Sequence, residues 1–291
     1  DVAARTDDEP PWLIESLWGA LCVGVIGGSP KSGKTWIALE MAVAVASGRP
    51  FLGRFGVPRR GPVLVFAAED APVSVRERLE HRGADFASLD VHLILESVVR
   101  LDQGEDRARL RATVKRYAPR LLVLDPYVRL QSGVDENDAT QVSAILGALR
   151  EISREEGVAI ALVHHTRKGG AAEDRPGQGL RGSGDFHAWG DSLLSMRRRS
   201  DSITLSVEHR AAASPPPLTL ELVDDDGPVR LEIREDPASP RPETSAPSIS
   251  DRILRALEEG GPLRKLELRE RLRVRNHDLA RELTALESAA R

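Results

Sequence analysis

Three observations predict an α/β fold with a mostly parallel sheet extended by antiparallel strands. Short apolar runs alternate with helix-length segments through the first 165 residues, and four later runs follow one another with only turn residues between them. A single glycine-rich loop joins the first run to the first helix. Alternating strands and helices place parallel strands between helical layers, whereas runs without intervening helices pair antiparallel.

The elements follow in order. Residues 21–26, 63–67, 91–95, 121–124 and 159–163 are continuous apolar runs of the kind buried on both faces of a parallel sheet. Helices are expected over residues 35–46, 72–82, 105–117 and 139–156, the last with Asp138 as N-cap and Gly157 as its stop. Residues 192–198, 203–209, 218–222 and 229–233 are the antiparallel extension, punctuated by the prolines at 215–217 and the Asp-rich turn at 224–227. Residues 235–248 hold Pro237, Pro240, Pro242 and Pro247 and almost no large apolar side chain, as a linker does. Leucines then recur at helical spacing over residues 249–291, predicting a small all-α unit of helix-turn-helix or winged-helix-like character. Its third helix, 276–288, follows Arg273, Arg275, Asn276 and His277 and would be the recognition helix. The expected organisation is therefore 1–234, a linker over 235–248, and 249–291.

Bulk properties narrow the classes. A chain of 291 residues with 41% hydrophobic and 30% charged content can bury one large core and carry a second small unit. Cys22 is the lone cysteine, which excludes an internal disulfide and suits a reducing, cytoplasmic setting. No apolar run reaches membrane-spanning length, and the acidic opening differs from a signal peptide. A net charge of −4 argues against a general nucleic-acid coating, although residues 249–291 carry 10 basic against 8 acidic residues. No His, Cys, Asp and Glu set has zinc-ligand spacing.

The chemistry concentrates in Gly28, Ser29, Pro30, Lys31, Ser32, Gly33, Lys34 and Thr35, a GxxxxGKT phosphate-binding loop between strand and helix. Glycines let backbone N–H groups curl round phosphates, Lys34 meets the β/γ-phosphates, and the Thr35 hydroxyl ligates Mg²⁺. The expected ligands are ATP and Mg²⁺. Leu121, Leu122, Val123 and Leu124 close on Asp125, which would hold Mg²⁺ through water. The run 63–68 ends in Glu69 and Asp70. Glu69 suits polarising an attacking water, and Asp70 suits a helix cap ahead of Pro72. The fifth run closes on His164 and His165, and alternation lets only one of them reach a nucleotide. The long polar stretch 169–184, with Arg175, Gln178 and Arg181, would line a nucleic-acid channel or cross a subunit interface.

Together the loop at 28–35, Glu69, Asp125, His165 and the run from Leu180 to Asp191 resemble the RecA-like ATPases. Within these the chain is most similar to the hexameric replicative helicase branch, including plasmid RepA-type and DnaB-like helicases, over roughly residues 12–233. The resemblance implies a hexameric ring with ATP between neighbours, Glu69 as catalytic glutamate and a γ-phosphate sensor at the His164–His165 pair. It also implies an arginine finger given in trans, for which Arg181 and Arg210 both match. The expected function is an ATP-hydrolysing motor on single-stranded DNA, serving replication of a plasmid, phage or mobile element. The alternative is an ATP-switched regulator whose C-terminal unit binds duplex DNA.

Overall fold

The computed structural model describes residues 11–69, 72–81, 88–95, 99–131, 139–165, 184–199, 202–223 and 230–234, with positions 253, 256, 265, 267, 271 and 283. Packing divides the chain into Asp1–Arg234 and Glu235–Arg291. Among the described residues of the second unit all six are helical, and Ile253 and Ala256 are buried. The expected linker, and the turns and recognition helix of the expected C-terminal unit save Leu283, lie outside the described residues.

In the first unit, β1 (Trp12–Ile14) and β2 (Trp18–Gly19) form a short antiparallel hairpin. Then come β3 (Val23–Gly28), α1 (Lys34–Ser47), β4 (Val63–Ala67), α2 (Pro72–His81), β5 (Val91–Ile94), α3 (Gly104–Tyr117) and β6 (Leu121–Asp125). A 3-10 turn (Tyr127–Leu130), α4 (Ala139–Glu156), β7 (Ala159–His165), α5 (Gly184–Trp189) and β8 (Ser192–Arg199) follow. β9 (Ser202–His209), β10 (Leu218–Val223) and β11 (Arg230–Ile233) complete the unit. Nine described strands form one sheet in the order β11-β10-β9-β8-β3-β7-β6-β4-β5. From β8 to β5 neighbours run parallel, and β8-β9-β10-β11 is an antiparallel extension. This is the mixed, mostly parallel α/β sheet that the alternation of runs predicts.

Side-chain alternation sorts the strands into two cores. Val63 and Val65 of β4, Leu121 and Val123 of β6, and Ala159, Ala161 and Val163 of β7 pack with α1 and α2 on one face. Leu64, Phe66, Leu122, Leu124, Ile160 and Leu162 pack with α3, α4 and α5 on the other. α1 is buried nearly all round, through Ile37, Ala38, Leu39, Met41 and the run Ala42–Ala46. α4 buries one stripe, Val142, Ile145, Leu146, Leu149 and Ile152, at helical spacing.

The 3-10 turn, the β1-β2 hairpin and α5 had no sequence counterpart. The β1-β2 hairpin has two- and three-residue strands, too short for a periodic signal. Its place is set by the fully buried Trp18, whose indole N–H donates to the Cys22 carbonyl at 3.3 Å. α5 spans only six residues and is fixed by tertiary contacts: Phe186 is buried, and the Trp189 indole donates to the Leu146 carbonyl at 2.7 Å.

Candidate functional site

β3 lies between β7 and β8, so its C-terminal end opens at the middle of the sheet, the position where α/β sheets bind ligands. The loop that follows needs backbone that ordinary residues adopt reluctantly. Gly33 sits at φ +93° immediately before α1, and Lys31 at φ +61°. At Gly28 the constraint is close approach, because a Cβ there would lie 2.3 Å from the Met196 carbonyl oxygen of β8. The loop thus hugs β8 and leads directly into the N-terminus of α1, the place where a helix receives a phosphate.

Lys34 is 4% exposed, and its ammonium donates to the Ser29 carbonyl at 2.8 Å. Burial lowers its pKa to about 8, against the opposing pull of Asp125 and Glu69. The Ser32 hydroxyl is fully buried in the same loop and has no hydrogen-bond partner. An orphaned buried hydroxyl inside a cradle of tight glycines is a donor suited to a phosphate oxygen. Thr35, Lys34, Asp125 and Glu69 line one open cleft of about 320 Å³ beside the loop. The residues present therefore fit a nucleoside triphosphate, with Thr35 and Asp125 as the side chains that would hold Mg²⁺.

Strand parity explains which side chains reach the cleft. Asp125 continues the parity of Leu121 and Val123, Glu69 that of Val63 and Val65, and His165 that of Ala161 and Val163. All three belong to the α1 face. Register staggers them: Ala67 pairs with Asp125 and Leu124 with Leu162, so Glu69 and His165 both lie two residues beyond the level of Asp125, with His165 paired to Gly28. Glu69 stands with one oxygen 3.7 Å from His165 Nε2 and the other 3.8 Å from Arg129 Nε.

His164 has the opposite parity and faces the other core. Its ring stacks on Phe186 at 4.2 Å between centroids and meets Tyr127 edge-on at 5.7 Å. Burial first, then the neighbouring His165 and Lys34, lowers its pKa to about 4. It is a neutral core residue, and of the pair only His165 lines the cleft.

Several cleft residues escaped sequence reasoning. Arg78 of α2 lies over the Trp36 ring at 5.5 Å, and both line the cleft. Arg198, Ile203 and Leu222 close its other side from β8, β9 and β10. The basic triplet Arg197, Arg198 and Arg199 at the end of β8 was the available signal for one of these. Arg78 and Trp36 had none beyond nearness to Glu69 and Thr35.

The two finger candidates fare differently. Arg181 lies outside the described residues, as do Asp70, Asp138, Arg175 and Gln178. Arg210 follows β9 at the sheet end away from the phosphate loop, since His209 pairs with Ser192 while Met196 pairs with Gly28. Its guanidinium donates to the Ala188 carbonyl at the end of α5, and its Nε lies 3.5 Å from Asp191. Asp191 also receives Arg150 at 3.1 Å and the Val23 N–H at 3.3 Å.

Comparison with known proteins identifies the fold and the family. Two of the many solved structures that share the fold serve as examples. One, a structure of an ATPase domain, superposes with a TM-score of 0.56 at 15% identity, over 72% of this chain and 84% of that one. The other, a DnaB-like replicative helicase described with its interactions with primase, superposes with a TM-score of 0.56 at 14% identity, over 72% of this chain and 59% of that one. The fold is thereby RecA-like and of the P-loop kind. The AAA domain family matches residues 1–171, more than half of the sequence, so the chain belongs to that family and is a nucleotide-binding ATPase.

Proposed function

We propose that this protein is a ring-forming motor that hydrolyses ATP between neighbouring subunits and acts on single-stranded DNA. The ring rests on reading Arg210 as an arginine finger, and one observation supports its action in trans: Arg210 lies at the end of the sheet away from its own phosphate loop. Counting from Leu205, level with Met196 and Gly28, it lies five residues further along, about 17 Å at strand rise. It cannot reach the phosphates held by its own loop, but a head-to-tail neighbour can present it to them. The likeness to an ATPase domain and to a DnaB-like replicative helicase supports the same reading.

Within the cleft the roles follow from position. The loop amides and Lys34 hold the β/γ-phosphates. Mg²⁺ bound by Thr35 and, through water, by Asp125 would supply neutralisation of the phosphate charge. Glu69 accepts a proton from water as the water oxygen bonds to the γ-phosphorus and the β–γ bridging P–O bond breaks, leaving ADP and phosphate. His165, beside both Glu69 and Gly28, links the carboxylate to the γ-phosphate. Arg78 and Arg198 add positive charge on either side, and the planar Trp36 with Leu222 offers apolar surface for a base.

The separate unit at 235–291 is assigned an auxiliary DNA contact, which the basic surplus of 249–291 supports. The test is ATP turnover with single-stranded and duplex DNA, together with mass measurement with and without ATP. The expected outcome is turnover raised by single strands and a ring-sized assembly. A monomer under every condition overturns the motor. Preference for duplex DNA, lost on removing 249–291, establishes the regulator instead. Glu69→Gln should keep ATP binding while lowering turnover by about 10²–10⁴-fold.

A further inference from the structure

The 3-10 turn after β6 presents a residue that the nucleotide reading does not use. In a 3-10 turn side chains three apart eclipse. Tyr127 and Leu130 are both fully buried on the α4/α5 side, so the two residues between them are turned outward: Val128 is exposed, and Arg129 is half-exposed. The turn is tied at both ends. The Arg129 N–H donates to the Pro126 carbonyl at 3.1 Å, and the Arg129 carbonyl accepts from the Val99 N–H at 3.2 Å. The Leu101 N–H donates to the Leu130 carbonyl at 2.8 Å. Arg129 therefore has a fixed base from which its side chain reaches Glu69.

It reaches Glu69 from outside the cleft. Glu69 and His165 line the cavity and Arg129 does not. The carboxylate is held between two groups, with Oε2 toward His165 on the nucleotide side and Oε1 toward Arg129 on the far side. In this geometry Arg129 meets the carboxylate without lining the cleft, so its contact is with Glu69. It can fix the direction in which the carboxylate points.

We propose that Arg129 is a positioning residue that orients the Glu69 carboxylate toward the attacking water. The proposal rests on the reading of Glu69 as the proton acceptor. A glutamate carboxylate can turn about three side-chain torsions, and small misplacements of a reacting group cost large factors in rate. The guanidinium restricts that freedom through a charged contact, so a lysine at the same position retains much of the effect.

The test uses the full chain as Arg129→Gln, Arg129→Lys and Glu69→Gln, with Arg76→Gln as a control on an exposed arginine that pairs along α2 with Glu80. Steady-state ATP turnover and the affinity for a fluorescent ATP analogue are measured with and without single-stranded DNA, and thermal midpoints confirm folding. Arg129→Gln is expected to lower kcat about 10-fold or more while KM and analogue affinity stay within about twofold. Arg129→Lys should recover most of the loss, and Arg76→Gln should match the parent. Three results overturn the proposal: Arg129→Gln with parental kcat, a kcat loss matched by an equal loss of analogue affinity, or Arg129→Lys as slow as Arg129→Gln. If Glu69→Gln itself turns over normally, the underlying role of Glu69 fails. If Glu69→Gln is slow and Arg129→Gln is not, only the positioning role fails.

Discussion

His164 and His165 are neighbours in sequence with opposite environments, because each step along a strand reverses the side chain. His165 joins the cleft with Glu69. His164 is enclosed by Phe186 and Tyr127, 5% exposed, and its pKa is lowered to about 4. Between that value and the ordinary 6.5 the unfolded chain binds a proton that the folded chain refuses, so stability rises with pH across this window. At neutral pH the contribution is fully present. Acidification from pH 6.5 to 4 should remove roughly 3 kcal/mol. His164→Phe, which keeps the aromatic stack, should flatten this part of the stability curve, as read from denaturant midpoints at stepped pH. An unchanged slope would show that other groups set the acid limit. Glu69, Asp125 and His165 were all legible as strand-end residues. Arg129 was not, because a lone Arg in a turn carries no pattern until the fold sets it beside Glu69.

At the scale of elements, the phosphate loop depends on its strand neighbour as much as on its own residues. Gly28 lies against β8 so closely that a methyl group would meet the Met196 carbonyl and, at 2.7 Å, the Ser32 hydroxyl. Backbone cannot yield as a flexible side chain does. Gly28→Ala is expected to cost about 1–3 kcal/mol and to weaken ATP affinity, since it both pushes β8 away and displaces Ser32. Thermal unfolding and analogue binding measured on one preparation check both effects, and parental values for both would refute the close packing. The long runs of β3, β4, β6 and β7 and the stripe of α4 could be read from sequence, because burial on both faces demands unbroken apolar strands and a one-sided helix demands period 3.6. The β1-β2 hairpin, the 3-10 turn and α5 could not. Each is shorter than the window over which periodicity exists, and each is held by contacts to distant residues, as Trp189 is by Leu146.

Across the whole molecule, the separation of Arg210 from the phosphate loop has a direct consequence for mixtures. Lys34→Ala disables the proposed nucleotide site and keeps Arg210, whereas Arg210→Ala keeps the site and removes the proposed finger. Each should be inactive alone. Mixed in equal amounts, they should regain about a quarter of parental turnover, because roughly one junction in four pairs an intact site with an intact arginine across a head-to-tail interface. No recovery from the mixture, with both variants assembling normally, would remove Arg210 from the role. The same Arg210 is held by Asp191, which also receives Arg150 of α4 and the first N–H of β3. The arginine is thus tied to the strand that carries its own subunit's phosphate loop. Among the described residues no helix is long and apolar enough to cross a membrane.

By itself the sequence determined the nucleotide loop, the strands that deliver Asp125 and Glu69, and the mixed character of the sheet. Each of these is written in local spacing: glycines where backbone must turn tightly, apolar runs where strands are buried on both faces, acids where those strands end. Tertiary structure alone decided which strands are neighbours. That order sets β7 between the phosphate loop and Asp125, turns His165 toward the cleft and His164 into the core, brings Arg78, Arg198 and Arg129 around the site, and sends Arg210 to the opposite end. Strand order depends on how helices cover two faces at once, a property of the packed whole that no single stretch of chain encodes.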